Sequence, residues 1–236
     1  MTMALLGHTA RIIISVTSMS ASVAAWQAAG FSIESEIDGF TRLTDGQVLV
    51  TLMSQEFDSP ALAYFHVDVA QLMQTIVGKG LATREESATG FVMEGPGGVD
   101  IHVHQRSADK AVQPTGEQNP LLGYFDALVI GVDEPLRART AAEELGFFVQ
   151  EEFFGDFLQS DVTDGVLNLS FRQQKGKPFL VYVSDLDDEH LNELKESFGD
   201  NISIRLDENG EPFLVALTMP EGTKIMITTE DVGEEE

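Results

Sequence analysis

The sequence has no cysteine. That excludes disulfides, thiolate metal sites and cysteine nucleophiles, and it fits a reducing compartment. Basic residues are scarce. Fourteen lysines and arginines stand against 39 aspartates and glutamates, for a net charge of -25. Such a field repels nucleic acid and anionic membrane surfaces, so neither is expected as a partner. No run approaches the roughly 20 apolar residues of a membrane span. The nearest imitation of an export signal is Arg11, then Ile12–Val16, then Ala21–Ala25. Thr17 and Ser18 interrupt it, and its apolar core is too short. A cytoplasmic protein is expected. There is no glycine-rich phosphate loop and no serine in a nucleophile elbow.

What is present is a repeated unit. Arg11–Val16 is short and β-branched, as suits a strand. Ser18 and Ser20 are capping types ahead of Val23-Ala24-Ala25-Trp26, and Gly30 stands where a helix would stop. The same order follows in Leu62–Val67, Ala70–Val77 and Gly80. It follows again in Asp126–Val132, Leu136–Leu145 and Gly146, and in Phe179–Val183, Asp188–Phe198 and Gly199. Trp26 falls on a helix face with Val23 and reads as core.

Hairpin turns repeat as well. Thr44-Asp45-Gly46 returns as Thr163-Asp164-Gly165, and Gly95-Pro96-Gly97-Gly98 has its counterpart in Met219-Pro220-Glu221-Gly222. Gly30 and Gly146 are 116 positions apart, Thr44 and Thr163 are 119 apart, and Asp68 and Asp185 are 117 apart, all close to half of 236. This is an internal duplication, each half holding two strand-helix-strands units. Strands outnumber helices, so the class is α+β. The expected boundaries are a first domain over 1–104, a linker over 105–120, a second domain over 121–230 and an acidic tail over 231–236. Phe147, Phe148, Phe153, Phe154 and Phe157 are expected to fill the second domain's core.

The matching pieces are strand–Ser–helix–Gly-Phe (Ser22, Gly30, Phe31; again Gly146, Phe147), strand-Val-Asp-helix (Val67, Asp68; again Val183, Ser184, Asp185) and the closing turn and strand (Pro96–Val103; again Pro220–Ile227). In that order, twice over, they resemble the vicinal oxygen chelate superfamily of glyoxalases, bleomycin-resistance proteins and extradiol dioxygenases. The resemblance implies paired βαβββ units and two cup-shaped domains in one chain. It also implies a metal held by the first and last strands of a domain, with a further ligand on the middle strand. Carried over, those positions are Arg11, Leu62 and His102 in the first half, and Asp126, Pro178 and Met226 in the second.

That inventory is poor for a metal. Arginine stays protonated and has no lone pair to donate. Leucine and proline offer no side-chain ligand. Methionine is too soft for the ions used in oxygen chelation. His102 has a separate argument. Strand alternation turns Val99, Ile101 and Val103 one way and Asp100, His102 and His104 the other. The candidate ligand-binding residues are Asp100, His102 and His104 from this face, with Asp126 from the positions the resemblance implies; no metal ligand set is assigned, and no catalytic residue is named. The expected function is glyoxalase- or bleomycin-resistance-like small-molecule binding with no cofactor. The acidic field favours a cationic ligand, and a homodimer is open. The alternative is a metal-dependent lyase, isomerase or dioxygenase of the same superfamily, with a divalent metal as cofactor. A third class is an interaction protein that binds another protein through its sheets or acidic surface.

Overall fold

The computed structural model describes residues 5–7, 9–105, 114–154 and 158–229. His8, Phe157, half of the expected linker (106–113) and the acidic tail lie outside the described residues.

Each quarter of the chain is a strand, a helix and three strands. The first comprises β1 (Ala10–Ser15), α1 (Met19–Ala28), β2 (Ser32–Ile37), β3 (Phe40–Thr44) and β4 (Leu49–Met53). The second comprises β5 (Ala61–His66), α2 (Val69–Gly78), β6 (Thr83–Ser87), β7 (Gly90–Glu94) and β8 (Asp100–Gln105). The third comprises β9 (Tyr124–Val132), α3 (Pro135–Glu144), β10 (Phe148–Phe154), β11 (Leu158–Thr163) and β12 (Asn168–Gln173). The fourth comprises β13 (Phe179–Val183), α4 (Asp188–Phe198), β14 (Ile202–Leu206), β15 (Pro212–Thr218) and β16 (Lys224–Thr228). The first two quarters form one eight-stranded sheet, ordered β2-β3-β4-β1-β5-β8-β7-β6. The last two repeat that order as β10-β11-β12-β9-β13-β16-β15-β14. The class is α+β, with the paired βαβββ architecture. In a quarter, hairpins make the antiparallel pairs and the last strand returns parallel to the first, as in β5 with β8 and β13 with β16.

The helices follow from local chemistry. Asp68 accepts the Gln71 backbone N–H and starts α2, which buries Val69, Leu72 and Ile76. Pro135 opens α3, where its missing N–H costs nothing. Asp187 accepts from the His190 N–H at the start of α4, which buries Leu191, Leu194 and Phe198. Gly30 ends α1 at a φ of +86°, and a Cβ there would stand 2.6 Å from the Asn119 side chain. That side chain is needed where it is: Asn119 donates to the Ala29 carbonyl and accepts from the Leu121 and Leu122 N–H groups.

By contact density the chain forms two compact units, and each draws on both sheets. One gathers the first residues of β1 with β5–β8, most of β9, and β10–β12. The other gathers α1, β2–β4, β13–β16 and α4. In the first unit, the Tyr64 hydroxyl donates to Asp164 Oδ2 at 2.7 Å. In the second, the Tyr182 hydroxyl donates to Asp45 Oδ2 at 2.6 Å. Both tyrosines are fully buried. The turns that supply the carboxylates are built alike. Asp45 Oδ1 accepts from the Gln47 and Val48 N–H groups, and Asp164 Oδ1 from those of Val166 and Leu167. Thr44 and Thr163 each accept from the glycine N–H two residues on. The repeated Thr-Asp-Gly therefore does more than turn a hairpin. It presents one carboxylate oxygen, already fixed by its partner oxygen's bonds, to a buried tyrosine.

The aromatic expectation for Phe147–Phe157 needs correction. Phe147 is buried, but Phe148 and Phe154 are 56% and 66% exposed, because β10 is an edge strand and a bulge between Val149 and Glu151 shifts its alternation. Trp26 is fully buried as expected. The His190 ring nitrogens of α4 stand 2.6 Å from the Asp185 and Leu121 carbonyl oxygens.

Burial and the neighbouring carboxylate raise both tyrosine pKa values well above 10.0. A hydroxyl that is harder to ionise in the folded state stabilises fully below the unfolded value, and that stability is lost as pH rises beyond it. Urea unfolding should therefore show stability falling above about pH 10, with a shallower fall in Tyr64→Phe and Tyr182→Phe. At neutral pH each variant should lose about 1–3 kcal/mol, the cost of leaving a buried acceptor unpaired.

Candidate functional site

Strand register decides which candidate residues share a face. Arg11 of β1 pairs with Ala63 of β5, Ala63 lies beside His102 of β8, and His102 pairs with Val92 of β7. The row is thus Arg11, Ala63, His102 and Val92. Leu62, carried over as the middle-strand position, pairs with Ile12 and Ile101 on the opposite face and is fully buried. The one-residue difference flips the side chain, because successive strand residues point to opposite faces.

The alternation predicted for Val99–His104 holds. Val99, Ile101 and Val103 are buried, Asp100 and His102 are half-buried, and His104 is exposed. The His102 and His104 rings lie 6.4 Å apart at 22°, and Phe65 stands 5.8 Å from His104. Asp100 is ion-paired to Arg84. Burial lowers the His102 pKa, against the raising effects of Asp100 and Glu85 and with a smaller lowering by Arg84. Burial, and then His102 itself, lower that of His104. Arg11 is 3% exposed, a guanidinium in the middle of a sheet.

In the second half, Pro178 precedes β13 and is not in a strand. Asp126 is exposed on β9 and belongs to the second compact unit, whereas Asp100, His102 and His104 belong to the first. Val181 is the β13 residue beside Met226. The β9 residue standing to Ser170 of β12 is Val129, 118 positions after Arg11. In the second half the residues shown side by side are therefore Val181 and Met226. Pro178 is three positions short of Val181, and Asp126 is three short of Val129, the position 118 after Arg11. Among the described residues, no three His, Asp or Glu side chains are grouped to hold a metal ion.

The same two-sheet arrangement occurs in solved structures. A single-residue variant of homoprotocatechuate 2,3-dioxygenase from B. fuscum matches over 98% of this chain and 74% of its own, with a TM-score of 0.67 and 15% identity. The enzyme from Arthrobacter globiformis matches over 98% and 82%, with a TM-score of 0.63 and 18% identity. A complex of the Brevibacterium fuscum enzyme with 3,4-dihydroxyphenylacetate matches over 98% and 83%, at 0.63 and 16%. The chain has the extradiol dioxygenase fold. It is the tandem form of the vicinal oxygen chelate architecture, with duplicated domains. No protein-family model matches the sequence, nor does any curated protein. Among the described residues, no helix is long and apolar enough to cross a membrane.

Sequence reasoning did not single out Ala63, Val129 or Val181. The signal was available for the last two, since Arg11 and Ala63 shifted by 118 positions give Val129 and Val181.

A lowered histidine pKa carries a stability signature. The unfolded imidazole takes a proton below about 6.5 while the folded one resists. Ring-proton NMR should place the His102 and His104 midpoints below the ordinary 6.5. Stability should fall as pH drops through that value, less so in His102→Gln. A midpoint above it for His102 would contradict the half-burial of that ring.

Proposed function

We propose that the protein binds a small molecule on the Arg11–Ala63–His102 face of its first sheet and does so without a metal in either half. The observation that carries this is the donor set. In the second half, Val181 and Met226 offer one soft thioether, and the first-half row offers one imidazole and a guanidinium that cannot coordinate. These residues do not fit a facial site of two histidines and one carboxylate. The chemistry open to the first-half face is recognition: ring stacking on Phe65 and His104, and hydrogen bonding by His102.

A second reading is favoured by the fold neighbours, which are ring-cleaving dioxygenases. In it the chain is a metal-dependent dioxygenase acting on a catechol such as 3,4-dihydroxyphenylacetate, with Asp100, His102, His104 and Asp126 in the site. The two separate on one experiment. The purified protein is analysed for metals and melted with and without Fe(II), Mn(II) and Zn(II). Metal at 100 times its dissociation constant would stabilise by about 2.7 kcal/mol. The binding reading expects no stoichiometric metal and no such rise. Stoichiometric iron or manganese, with ring cleavage of 3,4-dihydroxyphenylacetate, would establish the second reading instead.

A further inference from the structure

We infer that Ser35, Arg42 and Thr51 form a binding site for a small tetrahedral oxyanion of the phosphate class. The inference does not rest on the metal-independent reading above. Arg42 of β3 pairs with Ser35 of β2 on one side and with Thr51 of β4 on the other. Directly opposed residues of antiparallel strands share a face, with Cβ atoms about 4.5–5.5 Å apart. The arginine is therefore flanked by two hydroxyls. Ser35 Oγ and Thr51 Oγ1 are both buried without a hydrogen-bond partner, and Thr51 is only 7% exposed. Buried hydroxyls are rarely left unbonded, and two of them beside one guanidinium call for an acceptor. Arg42 itself is half-buried and reaches solvent. Among the described residues it has no ion pair; its guanidinium stands 5.4 Å from the centre of the Phe40 ring.

The chain carries -25, but the charge around Arg42 differs from that average. Strand alternation puts Ile37, Phe40 and Met53 on the same face as Arg42, and none is acidic. Glu36 pairs with Thr41 on the opposite face, and Glu34, in the bulge between Ile33 and Ser35, has a partner of its own. Arg42 is thus a cation without a counter-charge. The donors narrow the ligand class. The guanidinium fork takes two oxygens, and each flanking hydroxyl can turn its proton to a further one. A carboxylate is filled by the fork alone, whereas a phosphate has oxygens left for Ser35 and Thr51. The ligand enters at Arg42, which no polar bond holds against the Phe40 ring. The equivalent row of the second half is Glu151, Asp161 and Ser170. There a carboxylate stands where Arg42 does, and an anion would be repelled.

The test titrates inorganic phosphate, methyl phosphate and acetate into the isotopically labelled full chain at constant ionic strength. The Arg42 Nε–H and the Ser35 and Thr51 amide resonances are followed. Phosphate should shift all three saturably, and acetate should bind about tenfold more weakly or worse. Arg42→Lys, which loses the fork, should weaken phosphate about tenfold, and Arg42→Met should abolish its binding. Thr51→Val keeps the side-chain shape without the hydroxyl and should weaken phosphate about tenfold. If Thr51→Val does not fold, Ser35→Ala gives the same readout on the other side of Arg42. Methyl phosphate bound as tightly as phosphate would support the site and assign it to the phosphoryl group of an organic molecule. Methyl phosphate bound more weakly would support it as a site for the free ion. Acetate bound as tightly as phosphate would overturn the assignment. So would phosphate binding that is unchanged in Arg42→Met or in both hydroxyl variants, or the lack of any saturable shift with either phosphate.

Discussion

A hydrogen bond of one kind, made once in each compact unit, holds that unit to its two-sheet composition. Tyr64 reaches Asp164, and Tyr182 reaches Asp45. Each joins a middle strand of one sheet to a hairpin turn of the other, and each is buried. The carboxylate is suited to the task because its other oxygen is saturated by two backbone N–H groups of its own turn. The turn cannot rotate away without breaking those bonds, so the acceptor is fixed before the tyrosine arrives. A buried carboxylate without such partners would be costly. With three donors each, Asp45 and Asp164 are hydrogen-bonded charges in buried turns.

The other paired contacts have diverged where the tethers have not. In one unit, Glu221 accepts from both Ser22 and the Trp26 indole, so the Met219–Gly222 turn is held to α1 by polar bonds. In the other, the corresponding turn closes through Gly97. A Cβ there would come within 2.7 Å of Ile130 and 3.0 Å of Val132, so absence of a side chain is what lets the turn seat. α3 carries the small Ala138 and Ala142 where α1 carries Ser22 and Trp26. A large indole with a carboxylate on one side, and small residues with a glycine on the other, solve the same packing problem. Duplicated halves can drift this far because packing tolerates volume exchange, whereas a three-donor carboxylate does not tolerate loss of its geometry.

Much of the fold was legible because its signals are local. Periodicity, caps and glycine stops located the four helices, and the near-constant offsets of Gly30, Thr44 and Asp68 from their second-half counterparts exposed the duplication. β6, TREES, carries no such signal: it is an exposed edge strand with no apolar alternation, and Glu85 within it sits at a φ of +52° beside a bulge. The exposure of Phe148 and Phe154 was illegible for a related reason, since a bulge and an edge position override composition. At the site, the face of His102 was readable from Val99–His104. Its row-mates were not, because register between strands far apart in sequence is set by tertiary pairing, and one residue of error exchanges Ala63 for Leu62. The tethers left a trace that went unused. Three tyrosines occur in the chain, and Tyr64 and Tyr182 stand 118 positions apart, as Asp45 and Asp164 stand 119 apart.

The reciprocal tether is most directly tested by double-mutant cycles at both places, combining Tyr64→Phe with Asp164→Asn and Tyr182→Phe with Asp45→Asn, read by urea unfolding. Hydrogen bonds to a charged group contribute about 1.5–3 kcal/mol, so both cycles should return coupling of that order and of similar size. Coupling within about 0.5 kcal/mol of zero at either pair, the range of ordinary additivity, would contradict the account.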